Sequence, residues 1–141
     1  MEIIETIDKQ IKWYYENSAK ANINQLIDFQ NKLAGNSYFL ATVGADTSKE
    51  YNLAYKKRKF SYCKGFIMLR AAKTEERLTV KDCDQQSLES TEKEHEEEIE
   101  KEYIADLVNL KMRAIEKVLI AVSMTIKNLQ NEKISTNKTQ V

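Results

Sequence analysis

Three short clusters in this chain carry side chains that could do chemistry. Glu92-Lys93-Glu94-His95 has the Glu-x-x-His spacing that sets a carboxylate and an imidazole on one helical face, the pattern used by di-iron helical bundles. Such a site needs two histidines, and His95 is the only one in the chain, so we expect no metal and no cofactor. Tyr55-Lys56-Lys57-Arg58-Lys59-Phe60-Ser61-Tyr62 interleaves a run of four cations with aromatic rings, which could pair with phosphates and stack on unpaired bases, or answer an acidic helix of the same chain. Cys63 stands beside Lys64 but has no histidine nearby in sequence to activate a thiolate, so it reads as a buried, inert thiol. The chain offers no glycine-flanked serine, phosphate loop or cysteine–histidine pair, and its carboxylates sit in a polar run where nothing desolvates them. We therefore expect no catalytic residues and no enzymatic activity.

The elements that must position these residues are helices. Proline is absent and glycine occurs three times, at Gly35, Gly44 and Gly65, so the residues that end helices or shape turns are nearly missing from 141. Apolar residues from Ile3 to Tyr15 recur at helical spacing and predict a first helix over residues 2–17. Asn22 suits an N-cap. The helical period then continues from Ile23 past Leu69 and predicts a second helix over 22–73, with a bend near Gly35 or Gly44. Thr79-Val80-Lys81-Asp82 resembles a capping box and opens a third helix over 79–132. Residues 134–141 read as a disordered polar tail.

The second and third helices are nearly equal, each about 75 Å long at the helical rise, which predicts an antiparallel hairpin. Folding the chain about a turn near Arg77 sets Lys56 to Lys59 beside His95 to Glu98, and Leu26 opposite Asn128. Charge supports that register: residues 49–81 hold ten basic and three acidic side chains, whereas 89–102 hold eight acidic and two basic. On the third helix Val108, Ile115, Val122 and Leu129 form one heptad stripe, with Met112, Leu119 and Ile126 beside it. A single partner cannot cover both, so the first helix is expected to fold back against them. The fold class is thus all-α, a long coiled-coil-like antiparallel hairpin whose short N-terminal helix makes a three-helix bundle at one end, in a single domain over residues 1–133. Trp13, Tyr14 and Tyr15 are expected in that core.

The 22 basic and 22 acidic residues cancel, so any attraction to nucleic acid or to an anionic membrane must be local. Glu2, Glu5 and Asp8 interrupt the first isoleucines, so we expect no signal peptide and no membrane span, reduced cysteines and a soluble, cytoplasmic protein. Asn137-Lys138-Thr139 is then a chance glycosylation triplet. Near the hairpin tip Phe60, Tyr62, Cys63, Phe66, Ile67, Met68 and Leu69 outnumber their neighbours Leu78, Val80, Cys83 and Leu88, which predicts contact of Phe66, Ile67, Met68 and Leu69 with a second copy or a docked protein.

The tyrosine- and lysine-rich segment 38–59, followed by Thr79-Val80-Lys81-Asp82 and an acidic helix ending in an apolar heptad stretch, resembles small helical proteins encoded by tailed bacteriophages. That resemblance implies an early-region accessory protein acting in the host bacterial cell, and carries over no functional residue. The leading expectation is a non-enzymatic binding protein that sequesters or inhibits a host factor, as an anti-defence protein does. It would act as a homodimer or higher homo-oligomer, with Tyr55, Lys56, Lys57, Arg58, Lys59, Phe60 and Tyr62 as its charged and aromatic surface toward a host protein or anionic ligand. An accessory factor of DNA recombination or replication that binds single strands through the same segment is the first alternative. A structural coiled-coil or scaffold element is the second.

Overall fold

The computed structural model describes residues 1–72 and 78–140, and among these every regular element is a helix. They are α1 (Glu2–Asn17), α2 (Ile23–Ala71), α3 (Val80–Ser90) and α4 (Glu92–Thr139). The chain packs as two compact units, residues 1–44 with 107–141 and residues 45–106. The helices α2 and α4 run through both and are antiparallel in each.

The first unit is the three-helix bundle. Glu2 and Glu5 lie in the first turn of α1, where they favour the positive end of the helix dipole. Asn22 caps α2 as expected: its side-chain oxygen accepts from the Gln25 amide at 2.9 Å, while Gln25 accepts from the Asn22 amide at 3.0 Å. Ile4 and Ile7 of α1, Leu26, Leu33 and Leu40 of α2, and Val108, Ile115 and Val122 of α4 make one buried cluster. The Phe29 ring stacks between Trp13 and Tyr14, at 5.4 Å from each. Tyr15 departs from expectation. It is exposed, because one position beyond Tyr14 turns a side chain out of the buried stripe. At Gly44 an added Cβ would stand 3.3 Å from Met112 Sδ and Val108 Cγ1, so the missing side chain lets α2 approach α4 closely. Hydrogen bonds from Gln30 to Ser123 and from Asn36 to Gln10, with an ion pair from Lys111 to Asp8, fix the register.

The second unit has three helical segments where the sequence reading has a two-helix arm. The predicted helix 79–132 is two helices, α3 and α4, broken at Thr91. There the Thr91 hydroxyl donates back to the Ser87 carbonyl at 2.9 Å and Ser90 donates to the same carbonyl at 3.0 Å, local bonds that compete with the helix ladder. Thr91 itself sits at φ −108°, ψ 13°. The capping box on α3 forms as predicted, with the Asp82 amide donating to Thr79 and Asp82 accepting from the Thr79 amide. Helix α2 passes through Gly35, Gly44 and Gly65 and ends at Ala71, short of the predicted residue 73, and the predicted turn near Arg77 lies outside the described residues. Helix α4 continues to Thr139, past the predicted end at 132. Up to that point the expected irregular tail is helical, since neither proline nor glycine follows Gly65 to stop it.

A candidate binding face on the second half of α2

The seam of the second unit is built from small and polar side chains. Ala54 of α2, Cys83 and Ser87 of α3, Thr91, and Glu98 and Ala105 of α4 are buried there. Ser87 Oγ is fully enclosed and has no hydrogen-bond partner among the described residues. Gly65 faces Ser87 and Ser90, again a close approach through small groups. Such a seam buries little apolar area, so ion pairs along it supply the specificity of register.

The charge blocks predict the pairs of Lys57 and Arg58, whereas the pair of Lys101 with Glu50 runs the other way, its acid on α2 and its base on α4. Lys57 Nζ meets Glu97 at 2.8 Å, Lys101 meets Glu50 at 2.9 Å, and Arg58 pairs with Glu98, whose side chain is 8% exposed. A hydrogen bond to Lys57, reinforced by its charge, holds the Glu97 carboxyl below its ordinary range, and the same bond raises the Lys57 ammonium. Hydrogen bonding to Glu98 likewise raises the Arg58 guanidinium. Tyr51 accepts the influence of its own burial and of the nearby Glu102 carboxylate, and its phenol is raised; a bond to Asp84 raises that of Tyr62.

The predicted surface residues therefore divide. Lys57 and Arg58 are engaged within the unit, and Tyr62 donates to Asp84. Phe66 is half-buried and stacked on Tyr62, and Leu69 is half-buried too, so neither belongs to an open face. Lys56, Lys59, Phe60, Ile67 and Met68 are exposed. Lys59 lies over the half-open Tyr55 ring at 5.7 Å and Arg58 over it at 5.6 Å. Cys63 corrects the sequence reading: it is exposed, and Cys83 is the buried thiol. Helical phase explains this, since Cys63 is three residues from Phe60 and shares its outward face, whereas Ala54 and Arg58 point into the seam.

On that outward face Leu53, Phe60 and Ile67 recur every seven residues and are 57%, 69% and 65% exposed. Lys49, Lys56 and Lys64 flank them, exposed and without an ion pair among the described residues. Phe60, Cys63, Lys64, Ile67 and Met68 line one shallow, mostly apolar depression. A counterpart on α4 lies outside the residues expected from the sequence. Ile99 and Tyr103 are 53% and 65% exposed, with Glu92, Glu96 and Glu100 exposed around them. Their phase, outside the Val108–Ile115–Val122 stripe, was the available signal.

His95 Nδ1 stands 3.5 Å from Glu98, and Glu92 and His95 border a shallow cavity with Arg58, Leu88 and Thr91. Among the described residues no three histidine, cysteine or carboxylate side chains are grouped to hold a metal ion, and no helix is long and apolar enough to cross a membrane. Compared with known proteins, the chain matches no family model, no curated protein and no solved structure.

Proposed function

We propose that the chain is a non-enzymatic binding protein whose working surface is the outward face of α2 between Lys49 and Met68, and that it acts by occupying a partner protein. The observation that carries this reading is the heptad of exposed large apolar side chains, Leu53, Phe60 and Ile67, flanked by lysines that form no ion pair among the described residues. A seven-residue apolar repeat bordered by cations has the spacing that receives an amphipathic helix, and the cations select one bordered by carboxylates. Exposed apolar rows of this kind are characteristic of contact with another chain. The partner chemistry is therefore an acidic amphipathic helix, which fits sequestration of another protein.

A second reading, single-stranded nucleic acid on the same face, draws on Tyr55 beneath Lys59, with Lys56 open beside them. Salt separates the two. Fluorescence anisotropy with a synthetic acidic amphipathic peptide and with an oligothymidylate is the test. We predict peptide binding that Phe60→Glu weakens by about tenfold or more and that declines only gradually with salt, as the flanking charges are screened while the apolar contact persists. Binding of the oligothymidylate alone, falling steeply as salt rises because counterions are released, would replace the protein reading with the nucleic-acid one.

A further inference from the structure

We infer that an acidic amphipathic helix of the required chemistry is carried by the chain itself, and that copies associate head to tail, the outward face of α2 on one copy receiving the outward face of α4 on the next. This rests on the reading of α2 as a face for such a helix. Within the second unit α4 presents Ile99 and Tyr103, spaced four apart and more than half exposed, bordered by Glu96 and Glu100. These two carboxylates form no ion pair among the described residues, nor do Lys56 and Lys64 across the unit. The cations of one stripe and the anions of the other are thus complementary in sign, and each set borders exposed apolar side chains on one helical face.

The geometry also sets the symmetry. Arg58 of α2 and Glu98 of α4 meet in the seam, and Phe60 and Tyr103 lie on the far sides of their helices from that seam, so the two stripes face away from one another. A copy cannot satisfy both stripes by itself, and each contact joins two different surfaces. Heterologous contacts of this kind propagate, closing into a ring or growing as a filament. Lys56 and Lys64 against Glu96 and Glu100 select the order of docking, while Leu53, Phe60, Ile67, Ile99 and Tyr103 supply the buried apolar contact.

The test uses the full chain and two variants at exposed positions: Phe60→Glu, which blocks the α2 stripe, and Tyr103→Lys, which blocks the α4 stripe. Light scattering after gel filtration gives the mass, and far-ultraviolet circular dichroism confirms that each variant keeps its helices. The unaltered chain is expected to exceed two copies of its 16.4 kDa mass as concentration rises. Each variant alone is expected to be a single copy, and an equal mixture to form a pair and nothing larger, because one intact stripe of each kind remains. An unaltered chain that stays a single copy, or stops at a closed pair, overturns the inference, as does a mixture of variants that fails to pair. A single-copy chain that still binds the acidic peptide through Phe60 sinks the self-association alone; an assembling chain that ignores every acidic helix but its own sinks only the foreign partner.

Discussion

Glu97 and Lys57 show what one exposed pair contributes and when. The carboxyl is held below its ordinary value of 4.5, so its contribution is present above that value and is lost as pH falls through the depressed one. The ammonium is raised above its ordinary 10.5, so its contribution is complete below that value and disappears only as pH rises through the raised one. Between these limits the pair is insensitive to pH. Both side chains are open to water, and screening keeps the effect small. Glu97→Gln is expected to lower Tm slightly at neutral pH, with the two melting curves converging as acid protonates the carboxyl. Unequal acid slopes with no convergence would show that another carboxylate governs the acid limb. The Arg58–Glu98 pair differs in kind, since Glu98 is buried and depends on its partner for solvation.

At the scale of elements, the two long helices answer differently at their glycines. Gly35 has nothing within 4 Å of an added Cβ, whereas at Gly44 the same atom would press Val108, fully buried and stiff at its branched carbon. Gly35→Ala should stabilise the protein by about 0.5–1 kcal/mol through helix propensity, and Gly44→Ala should be neutral at best, as read from urea midpoints. Equal gains at both positions would mean that α2 and α4 are not in close contact at Gly44. The antiparallel register was legible because long blocks of opposite charge leave few alignments, and folding about residue 77 already sets Lys57 against Glu97 and Gln30 close to Ser123. The break at Thr91 was not. Its cause is a pair of hydroxyls returning to one carbonyl, and Ser and Thr at those positions are equally compatible with an unbroken helix. The reach of α4 to Thr139 was not legible, because a polar run without proline or glycine is compatible with helix and with disorder alike.

For the whole molecule, apolar side chains are distributed unequally between the units. The first buries leucines, isoleucines and valines from three helices in one cluster. The second closes on alanine, serine, threonine and cysteine, with Phe66 and Leu69 half-buried, and turns Leu53, Phe60, Ile67, Ile99 and Tyr103 outward, while the first also exposes Tyr38, Phe39, Leu110, Ile120 and Met124. Helical periodicity alone foretold the first, since a stripe such as Val108–Ile115–Val122 has one sensible direction to face. It could not foretell the second, where the apolar heptads lie opposite the seam and small residues carry the packing. That inversion is what the proposed binding face rests on, and in the proposed assembly the lysines of α2 and the glutamates of α4 make the contacts between molecules. Charge exchange tests this most directly. Lys56→Glu with Lys64→Glu, and separately Glu96→Lys with Glu100→Lys, should each abolish assembly measured by light scattering, and all four changes in one chain should restore it. If the paired sets leave assembly intact, or if the fourfold variant stays dispersed while keeping its helices, the two faces do not meet.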